Sequence, residues 1–177
     1  MTDHSPKELA EVLKKIQLFR GLSPTQIRLI LSQCVSKTYE PGEQVCKSGK
    51  PSDEMYILVS GKLAIVTEEN VRVAIIDPVT TVGEMGAITG QPRSASVEAV
   101  RPCRILVIQK PKLDTILRGQ RDLRSRIYEN VIHMLSDKLV RDNVRMRDFL
   151  SAKTRFQEDS TQKEQRFDIA LDLLAEK

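Results

Sequence analysis

The chain has 177 residues, 40% of them hydrophobic and 29% charged, with a formal net charge of +4. That length accommodates one domain with a sizeable core, and no apolar run approaches the ~20 residues of a membrane-spanning helix. Mild basicity suits a small anionic ligand or nucleic acid and demands neither.

The N-terminus, MTDHSPKELAEVLKK, lacks both an apolar core and a small-residue cleavage site, so no secretory signal is read there. Cys34, Cys46 and Cys103 are odd in number and scattered. They suit small buried hydrophobes in a reducing compartment, and the expected location is cytoplasmic. Two helix starts follow one grammar, Ser5-Pro6-Lys7-Glu8 and Ser23-Pro24-Thr25-Gln26: Ser at the N-cap, Pro at the first helical position, and Glu or Gln three residues after the cap. Such an arrangement satisfies orphan backbone N–H groups reciprocally. Helices are predicted over 6–34, with Gly21 closing the first as a left-handed residue and Leu22 and Ile27 stapling the second.

From Lys37 to Gln109 short apolar or alternating runs are separated by turn residues. Strands are predicted over 54–60, 62–67, 71–76, 95–100 and 104–108, with turns at Pro41-Gly42, Gly49-Lys50-Pro51, Gly61, Glu69-Asn70 and Asp77-Pro78. Turns roughly ten residues apart with no crossover helices indicate an antiparallel sandwich or barrel. Beyond Pro111 the period changes to that of helices. Lys112 to Leu117 forms a short one stopped at Gly119, and residues 122–150 form a long amphipathic one with Leu123, Ile127, Val131, Leu135 and Leu139 along one stripe. Its other face is basic, with Arg118, Arg121, Arg124, Arg126, Lys138, Arg141, Arg145 and Arg147. Residues 1–150 are thus read as one domain, and 151–177 as a flexible tail or linker adding at most one weak helix.

Residues 83–97, GEMGAITGQPRSASV, interrupt the strand-rich region with three glycines, one carboxylate and one guanidinium. Glycines let backbone approach a ligand closely, and amides at the start of a short helical turn suit an anion. Arg93 offers a planar fork of donors to two phosphate oxygens, and Glu84 can accept from a sugar hydroxyl. The combination suits a ribose phosphate. On residue types alone, a structural ion pair between Glu84 and Arg93 accounts for the same two charges.

The wording of the segment resembles the phosphate-binding cassette of the cyclic nucleotide-binding domains shared by the catabolite activator family, regulatory subunits of protein kinase A and cyclic nucleotide-gated channels. The resemblance extends over roughly residues 12–150: Leu18 to Ser23 looks like the entry helices of that family, Tyr56 to Lys62 like its central strand pair, and the helices from Lys112 like its closing segment. It implies an α+β fold, an antiparallel, jelly-roll-like β-roll (double-stranded β-helix) over 37–109 with N-terminal helices and closing helices over 112–150. It also implies cAMP or cGMP as ligand, with Gly83 and Glu84 on the ribose 2′-hydroxyl and Arg93 on the exocyclic phosphate oxygens. Backbone N–H groups near Ala87, Ser94 and Ala95 would complete a cradle that includes Met85 and Gly86. Ser94 would reach the phosphate through its hydroxyl, and does not settle the base. Val82, Met134, Lys138, Leu139, Arg141 and Asp142 are the expected base contacts.

Catalytic equipment is not read in the chain: His4 and His133 are its two histidines, and no nucleophile–base pair, metal-ligand cluster or cofactor motif stands out. Relatives that bind DNA append a helix-turn-helix, for which the stretch beyond Leu150 is too short, so the basic helix face reads as solvated and DNA is not expected. By resemblance the long helix forms a homodimer, and the chain is a regulatory sensor passing its signal to an unidentified protein through movement of that helix. Two other readings are a scaffold module with a degenerate site and a regulatory fragment of a longer kinase, channel or enzyme.

Overall fold

The computed structural model describes residues 13–69 and 71–175, with side chains described as far as Thr154. The helix start predicted at Ser5, His4, and Asn70 of one predicted turn lie outside the described residues. The chain divides into two compact units, one through Met134 and one from Leu135 onward.

In the first unit a 3-10 turn, Gln17–Phe19, leads through Gly21, at φ +76°, to helix α1, Pro24–Ser32. This helix starts as its sequence predicts. Ser23 Oγ accepts from Gln26 N–H at 3.2 Å, and Ser23 N–H donates to Gln26 Oε1 at 2.9 Å. Leu18, Phe19, Leu22, Ile27 and Ile30 are all buried.

Six strands follow, β1 Val35–Tyr39, β2 Gln44–Cys46, β3 Glu54–Val66, β4 Arg72–Ile76, β5 Thr80–Val82 and β6 Ser96–Gln109. Every pairing is antiparallel, in the order β1-β6-β3-β4, with β2 added to β6 and β5 to β3. The result is the expected antiparallel β-roll. Its inner core is Val45, Tyr56, Leu58, Leu63, Val97, Ala99, Cys103, Ile105 and Val107.

The strand boundaries differ from those predicted. Gly61 does not end a strand: at φ +96° it carries β3 through a zone of shifted register against β6, between Leu58 and Leu63, and pairing resumes on both sides. Here glycine makes a bulge within a continuing strand. β6 likewise runs unbroken through Arg101-Pro102-Cys103. The strands missing from the prediction, β1, β2 and β5, are short, and β1 is almost wholly exposed. An edge strand that buries little carries no apolar alternation to be read.

Between β5 and β6 lies α2, Glu84–Thr89, and after β6 come α3, Lys110–Gly119, with Pro111 in its first turn, and α4, Arg121–Ala175. Leu123, Ile127 and Val131 are buried, as the predicted stripe requires. Buried Asn130 donates its side-chain amide to Leu18 O at 2.9 Å and Arg20 O at 2.8 Å. Those bonds fasten the first unit's share of α4 to the entry turn.

In the second unit α4 continues without interruption to Ala175. The helix thus passes the end predicted at Leu150 and includes residues read from sequence as a tail or linker. From Arg121 onward the chain contains neither Gly nor Pro, and its many Glu, Gln, Lys, Arg and Leu residues are good helix formers. Polarity there signals the lack of a core, which does not by itself break a helix. Leu139, Val140, Val144, Met146, Phe149 and Leu150 are exposed. Among the described residues no helix is long and apolar enough to cross a membrane.

Candidate functional site

The segment 83–97 turns on two glycines. Gly83 caps α2 in the left-handed region, φ +82° and ψ 13°, and Ala87 N–H donates to Gly83 O at 3.1 Å to open the helix. A Cβ built at Gly83 would fall on Arg93 Nη1 and lie 3.3 Å from Glu54 O. One at Gly86 would fall on the side chain of Ser52 and lie 2.8 Å from Gln91 O. Both faces of the first turn of α2 are therefore in close contact with neighbours that leave no room for a methyl group. At its far end, Lys110 Nζ donates to Ala87 O at 2.6 Å, and Lys110 N–H to Asp53 O at 2.7 Å.

Arg93 is buried, at 6% exposure. The loop before β3 grips its backbone from both sides: Arg93 N–H donates to Lys50 O at 2.9 Å, and Arg93 O accepts from Gly49 N–H at 2.8 Å. Nη2 donates to Glu54 O at 2.6 Å and to Tyr56 Oη at 3.3 Å, with Cζ 4.9 Å from the Tyr56 ring centroid. Nε and Nη1 are buried with no partner in the structure. A buried, charged donor left in that condition costs more than an ordinary hydrogen bond returns, so an anion facing those two nitrogens relieves a cost the fold already bears.

Tyr56 Oη donates to Glu54 Oε2 at 3.0 Å, and Lys37 Nζ lies 3.5 Å from Glu54 Oε1. Burial pushes the Tyr56 phenol well above its ordinary range; the Arg93 charge opposes that shift and Glu54 reinforces it. The phenol is thus a neutral group that donates to the carboxylate and accepts from the guanidinium. Burial also raises the Cys46 thiol, against the opposing charge of Arg93.

Of the predicted residues, Gly83 and Arg93 meet directly, and Glu84, Met85, Gly86 and Ala87 form the first turn of α2. Glu84 and Met85 are half-buried, Ser94 exposed and Ala95 half-buried. The Ala87 N–H, expected as a ligand donor, is engaged by Gly83 O. Val82, expected beneath the base, stands opposite Tyr56 in the β5–β3 pairing and packs against the roll core. Met134 is half-buried in the first unit. Lys138, Leu139, Arg141 and Asp142 belong to the second, where all four are exposed and Asp142 lies 4.0 Å from Arg145. Ser52, Glu54, Tyr56 and Lys110 were not singled out from sequence as site residues.

A profile described as the cyclic nucleotide-binding domain matches residues 36–120. The human cGMP-dependent protein kinase 2 is 27% identical over 135 residues, 76% of this chain and 18% of the kinase. A cyclic nucleotide-gated potassium channel of Mesorhizobium japonicum is 30% identical over 96 residues, 54% of this chain and 26% of the channel. The chain thus spans only a minor part of the curated relatives it matches. Among crystal structures, the Thermus thermophilus catabolite activator protein superposes with a TM-score of 0.64 at 25% identity, covering 76% of this chain and 63% of that one. The regulatory domain of Toxoplasma gondii PKA, crystallised with cAMP, has the same fold, with a TM-score of 0.59 at 21% identity over 66% of this chain and 46% of that one.

Proposed function

We propose that this chain, whose residues 36–120 match the cyclic nucleotide-binding domain, is a sensor that binds a cyclic purine nucleotide, cAMP or cGMP, at Gly83–Ala95. The observation that carries the reading is the state of Arg93. Nη2 is committed to Glu54 O and Tyr56 Oη, while Nε and Nη1 are buried and unmatched. The N–H groups of Nε and Nη1 are the donors left for the oxygens of an anion, each offering a charge-assisted hydrogen bond from a cation that does not titrate away. Gly83, held in the left-handed region, brings its backbone and Glu84 towards the ribose 2′-hydroxyl, and the Ser94 hydroxyl supplements the phosphate contacts. The site works by binding, and no chemical step is assigned to it.

Calorimetric titration with cAMP and cGMP in parallel tests the reading. Saturable binding of either is expected, and the tighter of the two identifies the base. A folded protein that takes up neither overturns the reading and leaves a scaffold module.

The output in this proposal is a change in α4 on nucleotide binding, with dimerisation through its exposed apolar residues Leu139, Val140, Met146 and Phe149. A helix carrying such residues in water gains by pairing with a second copy. Sedimentation equilibrium is expected to give a dimer; a monomer at tens of micromolar removes that part of the proposal.

A further inference from the structure

We propose that Lys110 is a positioning residue that fixes the tilt of α2 from its C-terminal end and so sets where Gly83 and Glu84 stand towards the ribose, an inference that rests on the function proposed above. A helix of six residues, as α2 is, does not persist on its own hydrogen bonds, and its last carbonyls lack partners within the regular helix. Gly86 O accepts from Gly90 N–H at 2.8 Å. Ala87 O, the next along, is met from outside by Lys110 Nζ at 2.6 Å. A cation at that end also faces the negative pole of the helix. Half-buried Lys110 is held in turn by Asp114, whose Oδ1 lies 3.4 Å from Nζ one turn along α3.

Lys110 also closes a ring of contacts. Its backbone N–H donates to Asp53 O at 2.7 Å. The residue before Asp53, buried Ser52, is the neighbour that a Cβ at Gly86 would strike, and the residue after it, Glu54, accepts from Arg93 Nη2 at 2.6 Å through its carbonyl. Three consecutive residues at the start of β3 thus hold Gly86, the first residue of α3, and Arg93. Steric contact at Gly83 and Gly86 can only push on α2, whereas a donor on Ala87 O pulls, and the two together fix a tilt that neither fixes alone. Glu84 opens the same turn that Ala87 closes, so a change of tilt carries its carboxylate away from a ligand held at Arg93.

The test is titration with cAMP or cGMP, whichever binds the wild type more tightly, beside its 2′-deoxy analogue. Lys110→Met keeps an unbranched side chain and removes the ammonium; it is expected to weaken the parent nucleotide ~10-fold. Deleting the 2′-hydroxyl is expected to cost at least ~10-fold in wild type and less than ~3-fold in Lys110→Met, where Glu84 no longer reaches the ribose. Without ligand, Lys110→Met is expected to speed solvent exchange of the Ala87 and Gly90 amides at least ~5-fold. A lysine that merely stabilised the fold would lower both nucleotides alike. A 2′-deoxy penalty as large in the variant as in wild type, wild-type affinity of the variant for the parent nucleotide, or a wild type indifferent to the 2′-hydroxyl overturns the proposal. If the wild-type protein binds neither nucleotide, the functional reading fails and amide exchange alone decides: unchanged, it overturns the positioning role as well. Should Lys110→Met not fold, Lys110→Gln, shorter and uncharged, must speed the same exchange or the proposal falls.

Discussion

Arg93→Lys is expected to weaken cyclic nucleotide binding at least ~100-fold while leaving a folded protein. Two charge-assisted hydrogen bonds from Nε and Nη1, worth about 1.5–3 kcal/mol each, are removed together, and each 1.4 kcal/mol is about tenfold in affinity. Lysine retains the charge, so the prediction isolates geometry: an ammonium is a point donor and cannot reproduce the fixed, planar set of N–H directions of a guanidinium. It also cannot satisfy Glu54 O and Tyr56 Oη at once while facing the ligand. Titration of the variant against wild type, with circular dichroism to establish folding, settles the matter. An affinity within about threefold of wild type means that Arg93 does not hold the phosphate.

Gly61→Ala is expected to be the most damaging small substitution for the fold, costing about 2–5 kcal/mol in denaturant unfolding. Two causes add. Alanine at φ +96° is disfavoured by about 1–2 kcal/mol. Its methyl would also fall on Pro102 O and lie 2.7 Å from Cys103 Cα, backbone atoms of β6 that cannot rotate away; overpacking of that kind costs about 1–3 kcal/mol. Gly42→Ala is the control: its φ is +88°, and nothing lies within 4 Å of the added methyl. It carries the conformational cost alone. Equal losses in the two variants would show that β6 gives way and that steric contact contributes nothing.

How much could be read without a structure depended on how local each feature is. The helix start at Ser23 needs four consecutive residues, and it formed with both of its hydrogen bonds. The segment 83–97 holds its glycines, Glu84 and Arg93 within one short span, so its chemistry stood out in a single line of sequence. Tyr56 did not stand out. It reads as one more apolar residue of a strand, and its role depends on Arg93, which arrives from the far side of α2. Ser52 and Lys110 escaped for the same reason, since packing against Gly86 and donation to Ala87 O are products of long-range pairing. The continuation of α4 past Leu150 escaped differently, because apolar periodicity marks only faces that are buried and this stretch persists on helix propensity.

The close fit around α2 also limits how the gene can drift. Every single-base change in a glycine codon that alters the amino acid introduces a side chain with a Cβ, and at codons 83 and 86 a Cβ meets Arg93 or Ser52. These two codons have no neighbouring missense allele that leaves the turn in place. Met85 and Thr89, half-buried and exposed on the same helix, have many. If the function proposed for this segment holds, inherited variation in ligand preference is therefore expected at those flanking codons, where the turn at Gly83 and Gly86 stays in place.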